Sequence, residues 1–269
     1  MVLLLALIAC RTSMGPDQVR TYSDEEFEQV TEAYNALLQK GVTDDGYVDY
    51  DLITGERASL DDYLLLAAQR THHKRAAVRL HFWINVYNAL VIYQIIERGK
   101  PDSVMDVTGT LPVTGAGFFF ETEFLVNDQW LTLYEIEHKQ IRMKAMDHRI
   151  HAALVCGARS CPPLRNTIYM RARMDEQLDD RMAAWVQDPE RGIKLGDDGS
   201  IQFSPIFDWF RQDFEVWSGG NNVCNIGASH LKGALRKEVQ AQADRGCKPQ
   251  YWEYDWRLND AAAVANYFR

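Results

Sequence analysis

The sequence predicts an α+β fold, in which a buried central helix packs with flanking helices against a small, mostly antiparallel sheet. Helical patterns dominate the first part of the chain, and one of them is apolar on nearly every side. Short strand patterns joined by hairpin turns come later in the chain. Helices followed by hairpin-linked strands are typical of α+β proteins and differ from the alternating pattern of a doubly wound parallel sheet.

Three helices are predicted before residue 100. The first begins at a capping box formed by Ser23 and Glu26 and ends at Gly41. The second runs from Ser59 to about Arg70, and the third from Lys74 to Arg98. The third is the most apolar segment of the chain, so it is expected to be the buried central helix.

Short strands and further helices are predicted after residue 100. The predicted strands are Phe118 to Val126, Gln129 to Leu131, Arg149 to Val155, Ile193 to Leu195, Ile201 to Phe203 and Tyr251 to Trp256. The predicted helices are one from a capping box of Thr132 and Glu135 to about Met146, Met174 to Val186, a short one after Ser204-Pro205, and a final one capped by Asp260.

Length and charge limit the organisation and the partners. The chain has 269 residues and a formal net charge of -9. No linker forces a second domain, so residues 23–269 are expected to form a single domain. The acidic balance argues against a nucleic-acid partner, because phosphate binding needs clustered Lys and Arg.

The N-terminus predicts export and a lipid anchor. Residues 1–10 combine an apolar run with Cys10, and Leu7-Ile8-Ala9-Cys10 resembles the bacterial lipobox, in which the Cys is lipidated. Residues 11–22 would then form a polar tether to the membrane. Arg11 follows the Cys where an Asp would favour inner-membrane retention, so a periplasm-facing lipoprotein of the outer membrane is expected. An ordinary cleaved signal peptide is the alternative.

The other four of the five cysteines are Cys156, Cys161, Cys224 and Cys247. Four cysteines allow three pairings, and an oxidising compartment makes pairing plausible. A Cys224–Cys247 bond is the simplest choice, because it closes a C-terminal loop. Cys156 and Cys161 would then pair with each other or carry chemistry.

The loop that begins at His151 is the main candidate site. His and Cys close to the end of a predicted strand are suited to a general base and a thiolate nucleophile. Arg159 and Ser160 can hold a carboxylate or another anion. A structural disulfide between Cys156 and Cys161 is an equally reasonable interpretation. Zinc bound by both cysteines, His151 and His138 is a minor one, and no other cofactor is expected.

Two helices offer further polar groups. Asn85 and Asn88 follow His81 at helical spacing, so the three lie on one stripe of the central helix. Both amides are expected to tie loops to that helix, and a role in catalysis is the alternative. Glu137 and His138 lie on a later helix, where the carboxylate can orient His138 as a base. The alternative, which is more common for such a His, is a structural role on a half-buried helix face. Asp208 and Asp213 are expected to be caps or surface charges.

Several blocks, in order, resemble the domain-of-unknown-function 547 family. They are Phe82 to Leu90, Leu133 to His138, Arg149 to Pro162, Ser204 to Phe214 and Tyr254 to Asn259. The resemblance covers roughly residues 45 to 260. Some relatives are fused to glutaredoxin-like domains, which implies thiol or glutathione chemistry.

These observations predict a thiol-dependent envelope hydrolase or transferase that acts on peptide, isopeptide or glutathione-like substrates. Cys156 would be the nucleophile, His151 or His138 the base, and Asn85 or Glu137 an orienting group. The residues expected to bind the small-molecule or peptide substrate are Trp83, Asn88, Arg159, Ser160 and Cys161. A ligand- or protein-binding module without chemistry and a thiol–disulfide redox protein are the alternatives.

Overall fold

Helices surround one long buried helix, and two small sheets complete the α+β structure. The computed structural model describes residues 11–16, 20–69, 80–196 and 198–267. The predicted signal peptide and Cys10 lie outside the described residues, as does the start of the predicted third helix. Within the described part of the chain, no helix has the length and apolar character needed to cross a membrane.

The elements follow one another in chain order. The first eight are β1 (Thr12–Ser13), α1 (Asp24–Gly41), α2 (Tyr50–Gly55), α3 (Ala58–Ala68), α4 (Leu80–Glu97), α5 (Ala116–Phe119), β2 (Thr122–Val126) and β3 (Gln129–Thr132). Then come α6 (Leu133–Glu135), a π-helix (Ile136–Arg142), α7 (Met143–Ala145), α8 (Met174–Gln187), β4 (Ile193–Leu195) and β5 (Ile201–Phe203). The last are α9 (Ile206–Trp209), α10 (Arg211–Trp217), α11 (Val223–His230), α12 (Gly233–Asp244), β6 (Gln250–Tyr251) and α13 (Ala261–Tyr267). Short 3-10 helices cover Val104–Asp106, His148–Ala152 and Arg171–Arg173.

Each sheet has three strands and is mixed. In the first, β2 pairs with β1 in parallel and with β3 in antiparallel orientation. In the second, β5 pairs with β4 in antiparallel and with β6 in parallel orientation. The antiparallel pair is the longer one in both sheets, since each parallel pair joins only two residues of each strand.

Local sequence signals set several helix starts. Ser23 Oγ accepts from the backbone N–H of Glu26 at 3.2 Å, and the Glu26 carboxylate accepts from the backbone N–H of Ser23 at 2.8 Å. Thr132 and Glu135 form the same reciprocal pair at the start of α6. Both capping boxes satisfy backbone donors that have no partner within the helix, as the sequence predicts.

The central helix α4 is buried along nearly its whole length. Every residue from Phe82 to Ile95 is buried, which confirms the prediction of a core helix. The larger hydrophobic cluster packs around it, and a second cluster forms around Trp185, Phe207 and Phe214. Tyr254 contacts both clusters, so the segment that carries it lies where the two cores meet.

Three predicted strands differ from the structure. Arg149 to Val155 forms a 3-10 helix and a loop, because Asp147 accepts from the backbone N–H of Arg149 and caps a turn there. The strand predicted from Phe118 begins only at Thr122, after α5. Only Tyr251 of the predicted Tyr251 to Trp256 strand is paired. Short buried apolar runs look alike in strands and helical turns, so periodicity does not separate them.

Candidate functional site

A cavity of about 160 Å³ opens where the two hydrophobic clusters meet. Four polar residues line it, namely Glu137 of the π-helix and His151, Cys156 and Cys161 of the candidate loop. Most of the remaining wall is aromatic and consists of Tyr87, Phe119, Trp209, Phe210, Tyr254 and Trp256. The structure therefore brings the predicted nucleophile, one predicted base and Glu137 to a single small cavity.

Cys156 and Cys161 form a disulfide in the wall of this cavity. Cys156 is partly exposed, whereas Cys161 is only 3% exposed. The backbone N–H of Cys156 donates to Cys161 Sγ at 3.0 Å, and the Tyr254 hydroxyl donates to the same sulfur at 3.2 Å. Tyr254 Oη also lies 3.5 Å from Cys156 Sγ. The two cysteines therefore differ in exposure, and their sulfurs differ in the hydrogen bonds that reach them.

A segment near the C-terminus holds the disulfide loop in place. The backbone N–H of Arg159 donates to the Arg257 carbonyl at 2.8 Å, and that of Asn259 donates to the Gly157 carbonyl at 3.0 Å. The Asp255 N–H donates to Ser160 Oγ at 2.9 Å. Gly157 has φ +87°, and a Cβ there would lie 2.6 Å from Ile95 Cδ1. Only glycine suits this turn, because its backbone is left-handed and in contact with the central helix.

Glu137 is the carboxyl group of the cavity. It lies on the π-helix, and the Tyr87 hydroxyl on α4 donates to its Oε2 at 3.3 Å. Burial raises the pKa of Glu137 to about 7, although the Arg142 charge and the Tyr87 hydrogen bond oppose this. The carboxyl group is therefore ready to gain or lose a proton near neutral pH.

His151 belongs to a buried ionic cluster. Its Nε2–H donates to Asp213 Oδ2 at 2.9 Å, and Arg142 donates to the same oxygen at 2.7 Å. The His151 ring stacks on Phe210 with centroids 4.1 Å apart. Burial lowers the pKa of His151, and the bond to Asp213 offsets this only in part. Burial acts to raise the pKa of Asp213, but hydrogen bonds from His151 and Arg142 lower it overall.

Asp213 corrects one prediction from the sequence. It was expected to be a cap or a surface charge, yet it is 6% exposed and links His151 to Arg142. Asp208 matches the expectation, since its half-exposed carboxylate pairs with Arg211. The available signal was that Phe210 and Phe214 flank Asp213 at helical spacing, which places its neighbours in the core.

The two amides of the central helix bind loops. Asn85 Nδ2 donates to the Tyr169 carbonyl at 2.9 Å, and its Oδ1 accepts from the Tyr169 N–H at 2.8 Å. Asn88 Nδ2 donates to the Ala153 carbonyl at 2.9 Å, and its Oδ1 accepts from the Val155 N–H at 3.0 Å. This confirms the loop-tying interpretation. Neither amide lines the cavity. The buried Trp83 does not line it either.

Other predicted site residues lie elsewhere. Arg159 and Ser160 line a separate groove of about 500 Å³. The His138 ring stacks on Tyr134 with centroids 3.9 Å apart, and its Nδ1 lies 3.1 Å from the Tyr134 carbonyl. Burial and the nearby Arg142 charge lower the pKa of His138 to about 4. His138 is therefore neutral at pH 7, and it does not line the cavity of Cys156.

The described residues contain no group of three or more His, Cys, Asp or Glu side chains placed to hold a metal ion. The zinc hypothesis required thiolates at Cys156 and Cys161, and these sulfurs are bonded to each other. Zinc could bind there only after reduction of the disulfide, because zinc takes the deprotonated thiol as ligand.

Residues 71–186 match the model of a family described as Protein of unknown function, DUF547. This part of the chain is similar to the DUF547 family. The match is shorter than the stretch from 45 to 260 expected from the sequence motifs, and residues 71–79 of it lie outside the described structure. No curated protein and no solved structure matches the chain.

The cavity combines the DUF547 region, which is residues 71–186, with the C-terminal part of the chain. The matched region supplies the disulfide, Glu137, His151 and Tyr87. Trp209, Phe210, Tyr254 and Trp256 come from beyond residue 186. The hydroxyl that contacts both sulfurs therefore comes from outside the DUF547 region.

Proposed function

We propose that the Cys156–Cys161 pair is a thiol–disulfide exchange centre that oxidises small thiols entering the cavity. The observation that carries the proposal is the asymmetry of the pair. Cys156, which is partly exposed, lines the cavity, and the sulfur of the buried Cys161 receives hydrogen bonds from a backbone N–H and a tyrosine hydroxyl.

That asymmetry favours attack at Cys156. An external thiol loses its proton to solvent, and the resulting thiolate can reach Cys156 Sγ from the cavity. The Cys156–Cys161 bond then breaks, and Cys161 Sγ leaves as a thiolate with the electron pair. The Tyr254 hydroxyl and the Cys156 N–H stabilise this thiolate, because both already point at it. A better leaving group makes thiol–disulfide exchange faster.

A second thiolate completes the reaction. It attacks the external sulfur of the mixed disulfide, and Cys156 is released as a thiolate. The products are one external disulfide and a protein dithiol, so two electrons pass from the thiols to the protein. The protons that the two external thiols released are taken up by the two protein thiolates.

The hydrolase predicted from the sequence depends on the same cysteine but has weaker support. It needs a free Cys156 thiolate, whereas Cys156 is disulfide-bonded. The proposed envelope location, which depends on residues 1–10, would favour the oxidised pair, because that compartment is oxidising. Exchange uses the bonded form directly.

Native-state reduction by dithiothreitol, followed by alkylation and peptide mass spectrometry, tests the proposal. We expect the Cys156–Cys161 pair to be reduced at least tenfold faster than Cys224–Cys247, which serves as an internal control because neither of its cysteines lines the cavity. Equal rates, or preferential reduction of the control pair, would overturn the proposal.

The variant Tyr254→Phe tests the leaving-group role. Removal of the hydroxyl takes one hydrogen bond from the departing Cys161 thiolate, which corresponds to roughly a tenfold slower reduction. Tyr251→Phe is the matched control, because its hydroxyl accepts from Arg211 and its residue does not line the cavity. An unchanged rate in Tyr254→Phe would remove the assigned role of this residue.

A further inference from the structure

The cavity wall combines aromatic rings with one carboxyl group. Tyr254, Trp256 and Trp209 form a continuous group, with centroid distances of 4.5 Å for Tyr254–Trp256 and 4.9 Å for Trp209–Tyr254. The Trp209 and Trp256 rings are nearly parallel, 5.7 Å apart. Tyr87 and Phe119 add two more rings. Of the described residues that line the cavity, Glu137 alone carries a carboxyl group.

Such a wall favours an organic cation. The face of an aromatic ring is negative, so an ammonium group is attracted to several rings at once, most strongly to Trp. A carboxylate adds a direct charge partner. A volume of about 160 Å³ is too small for a peptide or for glutathione but holds a group of a few heavy atoms.

The charges around Glu137 leave it able to accept a cation. Arg142 on the π-helix is paired with Asp213 of α10 at 2.7 Å. His151, which also donates to Asp213, has a lowered pKa and is therefore neutral at pH 7. Tyr87 on α4 donates a neutral hydroxyl to Glu137. Of the described charged side chains, none that lines this cavity is a cation that could compete with a ligand.

We propose that this cavity binds a small organic ammonium group between its aromatic rings and the Glu137 carboxylate. The further step, which rests on the proposed exchange function, is that the substrates are low-molecular-weight aminothiols. In such a molecule the ammonium group would contact Glu137 while the sulfur reaches Cys156, since both residues line the same small cavity.

Choline separates ammonium binding from thiol chemistry, because it carries a permanent positive charge and no sulfur. Its binding to the disulfide form of the full chain is measured by isothermal titration calorimetry and by intrinsic tryptophan fluorescence. The neutral isostere 3,3-dimethylbutan-1-ol is the ligand control. We expect choline to bind at least tenfold more tightly than the isostere, and equal or undetectable binding of both would overturn the proposal.

Glu137→Gln tests the carboxylate, and Asp208→Asn is the matched control because that exposed acid is the sequence neighbour of Trp209. We expect Glu137→Gln to weaken choline binding about tenfold and Asp208→Asn to leave it within twofold. Choline affinity of the unmodified chain should rise between pH 6 and pH 8 as Glu137 ionises, and the Glu137→Gln profile should be flat. An equal loss in both variants would overturn the assignment to Glu137.

Comparison of cysteamine with 2-mercaptoethanol tests the substrate class. The two thiols are close in size, and only cysteamine carries an ammonium group. At equal thiolate concentration, we expect cysteamine to reduce Cys156–Cys161 at least tenfold faster in the unmodified chain and to lose this advantage in Glu137→Gln. Equal rates together with tight choline binding would overturn the aminothiol class alone. Choline binding without reduction by either thiol would overturn the exchange function and leave the ammonium site.

Discussion

Asp213 is a buried carboxylate that binds a histidine and an arginine from other parts of the chain. In the sequence it is one acidic residue among aromatics, and a surface role is the common one for such a carboxylate. In the structure its Oδ2 accepts from both His151 and Arg142. A buried carboxylate is retained where charged or hydrogen-bonding partners compensate for its lost hydration. Those partners come from positions 62 and 71 residues away, so no local pattern identifies them.

Asp213→Asn should lower the free energy of unfolding by about 3 kcal/mol at pH 7. The change leaves the Arg142 charge without its partner in a largely buried position, and loss of one member of a buried pair is strongly destabilising. Urea unfolding at pH 7 measures the effect. Because the pKa of Asp213 is lowered in the folded chain, its contribution is lost as pH falls, so the difference should shrink below pH 4.

Asp208→Asn is the control for this prediction. Its carboxylate is 52% exposed and forms a surface pair with Arg211, so a change within about 0.5 kcal/mol is expected. Similar losses in the two variants would show that Asp213 does not depend on buried partners.

Glu137→Gln should stabilise the protein at pH 8 by about 1–2 kcal/mol and have little effect at pH 5. A carboxyl group whose folded pKa is about 7 holds its proton more tightly than it does in the unfolded chain. The folded protein therefore loses stability as pH rises from about 4.5 to 7, and glutamine does not ionise. Urea unfolding at both pH values measures this, and a variant less stable at pH 8 than the unmodified chain would contradict it.

At the level of elements, the central helix α4 organises the site through its amides. Each Asn side chain uses both its donor and its acceptor on one loop, and these loops carry Tyr169 and the approach to Cys156. The Asn88 side chain bonds the Ala153 carbonyl and the Val155 N–H, two groups that would need a neighbouring strand if this segment were a strand. This explains why an apolar stretch predicted as a strand lies in a loop.

Asn88→Ala should lower the free energy of unfolding by about 3 kcal/mol. The change leaves the Ala153 carbonyl and the Val155 N–H buried without their partner, and each such group costs roughly 1–3 kcal/mol. Asn221→Ala is the control, because its amide donates to Ser218 at an exposed position. Urea unfolding measures both variants, and amide hydrogen exchange at Val155 should become faster only in Asn88→Ala. Equal losses in the two variants would contradict the prediction.

At the level of the whole molecule, two hydrophobic clusters meet beside the Cys156–Cys161 disulfide, and each cysteine pair belongs to a different part of the structure. Cys224 is buried in the second cluster, and Cys247 packs against it. Cys156 packs against the first cluster and faces the cavity. The Cys224–Cys247 pair is therefore expected to be structural, and Cys156–Cys161 is the proposed reactive pair.

The double variant Cys224→Ala, Cys247→Ser should lower the free energy of unfolding by about 3 kcal/mol, because it opens a loop closed over 23 residues. Reduction of Cys156–Cys161 by dithiothreitol should keep its rate, since the two pairs lie in different clusters. Denaturant unfolding and the native reduction assay measure the two effects. A variant of unchanged stability, or one with a slower Cys156–Cys161 reaction, would contradict this division.

Sequence patterns predict the α+β class, the two capping boxes, the buried central helix and the family resemblance of residues 71–186. These features follow from periodicity, helix caps and motifs, which depend on residues close together in the chain. Only the tertiary structure shows that Tyr254, Trp209 and Trp256 line the cavity of Cys156, that Asp213 is buried, and which loops Asn85 and Asn88 bind. These arrangements join residues far apart in the chain. Their partners are selected by burial and hydrogen bonding, which leave no fixed spacing in the sequence.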